Sequence, residues 1–416
     1  MYKKVKYYKI ILIFMSSCFV TVILHFKDNF YHNLLYLFTY LLCFFVFYGM
    51  HAEKNIIEKE KEMMTLFKII FLLTSLISFI GLIVTILKIQ VKVFDYYWLG
   101  IYENRLIGIY TNSNLLALFC VISSIGVHII TASDSFKLDK RKKTLKIVYI
   151  IGTTINIISL ILSDSNGSFI FFLIYFVVIL FYYLFREYSE LTFKIIIKNA
   201  FIILSAGLIL TAASFYIRGV CQNSIAVLIN SIHIKEPVHD NKVPANKEAN
   251  NSIIDTVEIG RVLGNNDYDG SSGRVTLIKQ AVVMFKKNPI MGIGIANIPK
   301  YGEKYIKGGL KFPNFHNGYI TILVAWGIVG FFIFTIYSLL VAAKFCDILF
   351  KINDSQNTPF PKLFAFLVSY CVYSLVEITI LSDITFTIFI FWTILGYATS
   401  YLNNYNSNII DNSKLY

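Results

Sequence analysis

Apolar residues gather in this chain into about ten runs of bilayer length, at 10–26, 34–50, 67–87, 106–132, 147–162, 169–185, 195–216, 319–343, 364–381 and 384–402. The runs lack strand-like alternation. Hydrocarbon offers no partner to a backbone N–H or C=O, so such runs predict helices rather than barrel strands. The expected fold class is all-α, a polytopic membrane helical bundle of about ten transmembrane helices with one large extracytoplasmic loop. Residues 1–216 are expected to form an N-terminal bundle of about seven spans, 217–318 the loop, 319–402 about three further spans and 403–416 a cytoplasmic tail. Met1-Tyr2-Lys3-Lys4 before the first run resembles a signal-peptide start but lacks a small-x-small cleavage site, so an uncleaved first span is expected.

The polar connections set an orientation. With a cytoplasmic N-terminus, alternate connections carry Lys3, Lys4, Lys6 and Lys9; Lys54, Lys59 and Lys61; Lys137, Lys140, Arg141, Lys142, Lys143 and Lys146; Arg186 and Lys194; and Lys344, Lys351 and Lys362. The opposite short connections, 27–31, 163–167 and 382–383, hold one Lys and no Arg, the asymmetry expected of cytoplasmic and outer loops. Both termini are therefore expected in the cytoplasm. The exception is 88–105, with three basic residues on the outer side. Within the long outer loop, 221–269 has no sustained apolar period. From Arg274 onward Leu277, Ile278, Ala281, Val282, Met284 and Phe285 recur at helical spacing opposite Lys279, Gln280 and Lys286. That pattern predicts an amphipathic surface helix ended by Pro289.

Composition agrees with a membrane solvent: 416 residues, 56% hydrophobic, 15% charged, mean hydropathy +0.64. A net charge of +13 could suggest nucleic acid, but the basic residues lie in patches beside apolar runs. That placement reads as topogenic charge and contact with anionic lipids. Of six cysteines, Cys18, Cys43, Cys120, Cys346 and Cys371 fall in or beside spans without metal spacing, and neither a disulfide framework nor a zinc site is expected.

Two places concentrate unusual residues. Arg105-Leu106-Ile107-Gly108-Ile109-Tyr110-Thr111-Asn112-Ser113-Asn114 puts a charge and two asparagines at the mouth of the fourth span. Polar groups at that depth are paired, face water or serve function. An interfacial arginine with asparagines bonding between helices is the structural alternative. The second place runs from Ser271-Ser272-Gly273-Arg274 through Asn288-Pro289-Ile290-Met291-Gly292-Ile293-Gly294 to Asn314-Phe315-His316-Asn317-Gly318-Tyr319. Gly292-x-Gly294 has the spacing of a dinucleotide loop, but no strand precedes it. Asp267-Tyr268-Asp269 matches an acidic metal tripeptide and reads as solvated loop, so no metal site is expected.

The order Gly-Arg, amphipathic helix, Asn-Pro-Ile-Met-Gly-Ile-Gly, Phe-His-Asn-Gly-Tyr, and a span with Trp326-Gly327-Ile328-Val329-Gly330 resembles the O-antigen ligase and polymerase family. The stretch from Arg105 to Asn114 is similar to that family's Arg-x-x-Gly-x-Phe-x-Asn-Pro-Asn, with Tyr110 and Ser113 as departures. A Ser-x-Ser-Arg-Gly-Ala-like turn of the family reads Ser163-Asp164-Ser165-Asn166-Gly167-Ser168 here. If the family arginine contacts phosphate, its role is missing or has passed to Lys92 or Arg218.

The resemblance implies a membrane glycosyltransferase that uses undecaprenyl-diphosphate-linked oligosaccharide as donor and a glycan or glycolipid hydroxyl as acceptor, without a cofactor, at the outer face of a bacterial cytoplasmic membrane. Capsule, exopolysaccharide or another surface glycan would be the product. A leaving diphosphate needs fixed cations, for which Arg105 and Arg274 are the candidates. The acceptor needs a base, for which His316 is the candidate, and His316 and Arg274 form the expected catalytic pair. Asn114, Asn317 and Glu377 are expected in support, with Glu377 pairing Arg274 or orienting His316. Polymerase and ligase use the same donor and base. The abundance of Ile, Lys, Asn, Phe and Tyr suggests an AT-rich genome and tilts the reading toward polymerase. The alternatives are a lipid-linked oligosaccharide flippase or other polysaccharide transporter, which would carry charges along a path through the bundle, and a purely structural partner, which has no use for His316.

Overall fold

The computed structural model describes residues 5–93, 97–133, 136, 138–186, 192–231, 252–253, 259–260, 273–310, 312–349 and 359–413. Helices form at all ten apolar runs, so the fold is an all-α bundle. They are α1 (Tyr8–Leu24), α2 (Phe30–Leu41, continued by a π turn Leu42–Phe47), α3 (Ile56–Ile86), α4 (Ser113–Ala132), α5 (Lys142–Ser163), α6 (Asn166–Phe185), α7 (Phe193–Ser231), α10 (Gly318–Leu349), α11 (Phe360–Tyr373) and α12 (Phe386–Ser413). Between α7 and α10 lie α8 (Arg274–Phe285) and α9 (Ile298–Tyr305). Among the described residues seven helices are long and apolar enough to cross a membrane, and α1, α11 and the Phe386–Tyr401 part of α12 add shorter apolar stretches.

Several boundaries differ from expectation, among them the start of α3 at Ile56 rather than 67 and the end of α12 at Ser413, inside the expected tail 403–416. The run at 106–132 becomes a helix only from Ser113, because Arg105–Gly108 is a strand. It is β3 of a small antiparallel sheet with β1 (Ile89–Val93), β2 (Tyr97–Tyr102) and β4 (Ser252–Ile253), in the order β3-β2-β1-β4. Tyr102 pairs with Arg105 across Glu103-Asn104, whose φ values of 50° and 57° are those of a two-residue hairpin turn. The helix expected to stop at 216 runs on to Ser231, so Cys221 lies within α7. The span expected at 364–381 ends at Tyr373 and gives way to an irregular turn.

The chain divides into two compact units. One comprises residues 1–64 and 265–416. Its core is aromatic: Trp326, Trp392, Tyr40, Phe14 and Phe44 are buried, and Phe44 meets Trp392 edge-on at 4.6 Å. Here α1 packs on α10, α11 on α12, and α8 on α10. The unit's defining feature is a break in α10 at Gly327, where φ is 64°. A broken helix in a membrane needs new partners for the freed backbone groups. The 289–294 turn supplies them. The N–H groups of Ile328 and Val329 donate to Pro289 O and Ile290 O at 2.8 and 3.2 Å, while Ile293 and Gly294 donate to Val324 O and Ala325 O at 3.2 and 2.8 Å. The two chains pass so closely that a Cβ on Gly292 would stand 2.3 Å from Ala325 O, and one on Gly327 2.2 Å from Ile290 O. Only glycine fits at both places. The glycines of the 292–294 motif therefore serve a backbone interlock, about 13 Å along α10 from its first residue.

A second clasp holds the same segment. His25 Nε2 lies 3.1 Å from Gly292 O and His25 Nδ1 3.3 Å from the Tyr301 hydroxyl, Asn29 donates to Ala296 O at 3.0 Å, and Ala296 N–H donates to Asn33 Oδ1 at 3.0 Å. Lys300 reaches Asp28 at 2.5 Å, and that donor holds the Asp28 carboxyl below its ordinary range. The buried face of α8, Leu277, Ala281 and Met284, closes the underside. Ala281 and Met284 cluster with Ile293, Phe315 and Val324. Its Val275, Ile278 and Val282 stay exposed.

The other unit comprises residues 65–264. In it α4 packs on α5 and α6, and α7 on α6 and α5. Asn156 of α5, wholly buried, donates to Ser75 of α3 at 3.1 Å and Ser123 of α4 at 2.9 Å. Such interhelical polar bonds tie helices where no hydrophobic force separates them from lipid.

Candidate functional site

The His-Asn-Gly segment enters α10 by packing onto the turn that follows α11, and each of its residues has a separate task. Asn317 precedes α10 as its N-cap: its Oδ1 accepts from Ile320 N–H at 2.9 Å and its Nδ2 donates to Leu375 O at 2.8 Å. Gly318 N–H donates to both Ser374 O (2.8 Å) and Glu377 O (3.1 Å), and a Cβ there would come within 3.1 Å of Thr379 O. His316 takes a left-handed conformation at φ 45°, with its N–H on Asn314 Oδ1 at 3.0 Å. Phe315, 1% exposed, anchors the segment below, and Phe312 meets the imidazole edge-on at 5.1 Å.

This backbone puts His316 Nδ1 3.2 Å from Glu377 Oε2. Glu377 Oε1 faces Arg274 Nη2 at 3.9 Å, so one carboxylate stands between an imidazole and a guanidinium. The carboxylate is nearly enclosed, with its side chain 12% exposed, while those of His316 and Arg274 keep 28% and 33%. An ionised carboxylate only accepts hydrogen bonds, so it selects the His316 tautomer with Nδ1–H and leaves Nε2 with a lone pair. Arg274, the first residue of α8, is held loosely. Its Nη2 donates to Val376 O at 3.3 Å, and its Nε is buried without a partner among the described residues. A buried donor left unpaired is costly and calls for an acceptor.

The Glu377 turn is itself braced. Ser374 and Thr379 bond through their hydroxyls, Tyr40 donates to Leu381 O, Trp392 to Ile380 O at 2.9 Å, and Trp326 to the Tyr40 hydroxyl at 3.2 Å. At the end of this turn Asp383 has its carboxyl raised by burial, offset in part by the N–H of Ile384.

The structure thus brings together Arg274, His316, Asn317 and Glu377. Arg105 and Asn114 fall in the other unit, with each other: Arg105 donates to Asn114 Oδ1 and to Ser163 O, both at 2.8 Å. In that unit Arg218 of α7 donates to Asn166 Oδ1 at 2.6 Å and pairs with Asp164 at 3.3 Å. It stands over the rings of Phe169 and Phe215 at 5.1 and 4.8 Å. A guanidinium therefore meets the turn where the family's arginine is replaced by Asn166. Ser271, Ser272, Asp267-Tyr268-Asp269 and the side chain of Lys92 lie outside the described residues. Among the described residues no group of three or more His, Cys, Asp or Glu side chains is placed to hold a metal ion.

Sequence reasoning missed His25, Asn29 and Asn33, which hold the 288–297 segment from a distance of more than 250 residues in the chain. It also missed the hairpin that positions Arg105, although the alternation of 89–93 and the Asn at 104 were legible signals.

No curated protein and no solved structure matches the chain. The family model described as O-antigen ligase matches residues 151–335, a stretch that includes Arg274, the glycine interlock and His316 and stops short of Glu377. With seven apolar membrane-length helices among the described residues and that match, the chain is a multi-pass membrane protein similar over residues 151–335 to the O-antigen ligase family.

Proposed function

We propose that the protein is a glycosyltransferase that passes a glycan from undecaprenyl diphosphate to a hydroxyl of a second glycan, elongating a surface polysaccharide such as capsule or exopolysaccharide. The observation that carries this reading is the single carboxylate of Glu377 between His316 Nδ1 and the under-bonded Arg274. His316 Nε2 takes the proton of the acceptor hydroxyl as the new bond forms to the donor's anomeric carbon. The bond from that carbon to the diphosphate oxygen breaks, and the electron pair leaves with the lipid diphosphate. Arg274 faces the charge that grows on the leaving group, with the exposed edge of its guanidinium as donor. Glu377 fixes the imidazole and stabilises the imidazolium that forms.

In this reading both termini are cytoplasmic and the site faces outward, as the distribution of Lys and Arg supports. Labelling of Cys221, which is partly exposed, with an impermeant thiol reagent in intact cells tests that orientation. The test of function is transfer by the purified full chain in liposomes, with undecaprenyl-diphosphate oligosaccharide and no energy source. Growth of the lipid-linked glycan supports a transferase. Translocation of the lipid without growth would establish the flippase alternative instead.

A further inference from the structure

A cavity of about 370 Å³ lies between α10, α11 and α12, all within the unit that carries His316. Its walls are almost wholly apolar and include Phe334, Val341, Ala342, Val368 and Leu375. Three polar groups in the lining are bonded within the protein, Tyr319 to Cys371 O at 3.0 Å, Ser338 to Phe334 O at 2.9 Å and Trp392 to Ile380 O at 2.9 Å, while the Tyr337 hydroxyl is buried with no hydrogen-bond partner among the described residues. A cavity with walls this apolar suits hydrocarbon. Its place relative to the site is specific. The lining reaches Leu375, whose carbonyl holds Asn317 next to His316 and which stands two residues before Glu377. From there it follows α11 from Val372 to Phe364, about 12 Å along the helix, where Phe345 stacks on Phe360 and Phe364 at 5.5 and 6.0 Å.

An apolar slot whose lining reaches the turn that bonds Arg274 and His316 fits one kind of molecule, an anionic head on a long hydrocarbon tail. We infer that this cavity seats the first part of the donor's polyprenyl chain and so sets the depth at which its diphosphate meets Arg274 and His316. The inference rests on the lipid-linked donor of the proposed function and adds where the tail lies. Acyl chains of bulk phospholipid have the same chemistry, and the experiment separates the two.

The full chain in liposomes of phosphatidylglycerol and phosphatidylethanolamine is irradiated with undecaprenyl diphosphate carrying a diazirine in its first isoprene units. Labelling within 334–345 or 364–375, competed by unlabelled undecaprenyl diphosphate and not by added phosphatidylglycerol, is the expected result. Labelling elsewhere, or equal competition by phosphatidylglycerol, overturns the inference. Variants give a second readout. Ala342→Trp and Val368→Trp fill the slot, and each is expected to raise KM for the undecaprenyl-linked donor about tenfold, while a donor on a much shorter prenyl chain is unaffected. Leu339→Trp, at an exposed position of α10 outside the lining, serves as the control. Unchanged KM in both filled variants overturns the tail site while leaving the transferase intact. Absence of transfer in the wild-type protein would sink the transferase reading alone, because the cross-link map still decides where the tail binds.

Discussion

Arginine is used in opposite ways in the two units. Around the 163–166 turn, Arg105 and Arg218 make bonds of 2.6–2.8 Å to carbonyl and amide oxygens, and Arg218 adds an ion pair and two ring faces. Arg274 has a 3.3 Å bond to one carbonyl, a carboxylate at 3.9 Å and a buried N–H with no partner among the described residues. A guanidinium spent on the protein fixes a turn, whereas one that is positioned but under-bonded has capacity for a ligand. The comparison teaches that the cations of the two units are not equivalent, and in the proposed function chemistry belongs with Arg274 and its neighbour His316.

His316→Ala should break the site most severely, lowering transfer roughly a hundredfold to ten-thousandfold while folded protein and donor binding persist. Kinetics on purified protein, with a thermal melt alongside, checks both parts. Next in size is the contrast between two conservative changes. Arg274→Lys should lower kcat/KM on the order of tenfold to a hundredfold, because lysine keeps the charge but not the two-donor edge. Arg218→Lys should instead lower the melting temperature and leave turnover of the folded fraction within about threefold. Equal losses of turnover in the two variants would dissolve the distinction. Glu377→Gln should cost about tenfold in kcat with KM little changed, since the amide oxygen still accepts from Nδ1–H but no charge meets the imidazolium.

The smallest effect concerns pH. The depressed Asp28 carboxyl, held by Lys300, contributes stability that is full above the ordinary carboxylate value of about 3.9 and is lost as pH falls through the depressed value. The pair is exposed, so Asp28→Asn should cost less than about 1 kcal/mol at neutral pH. The difference in melting temperature from wild type should vanish in acid.

The helices were legible because a bilayer demands long apolar runs and little else in ten places. Their ends were less so. Residues 217–231 continue α7 although they include Arg218, Cys221, Gln222 and Asn223, since helix geometry tolerates polar residues that hydropathy rejects. The site was legible where neighbours in sequence are neighbours in space, as for His316, Asn317 and Gly318. Glu377 stood out only as an acid near a span, and its role depends on a turn braced by Tyr40 and Trp392 through folding alone. The 292–294 glycines carried a motif but not its reason, which is the partner glycine at 327. The clasp by His25, Asn29 and Asn33 left no local trace at all.

The central claim is that His316 acts as the base, and rescue by added imidazole tests it most directly. Transfer by folded His316→Ala protein in liposomes should rise with imidazole concentration and saturate, recovering part of the lost rate, whereas Arg274→Ala protein should gain nothing. Full activity of His316→Ala without imidazole would contradict the account.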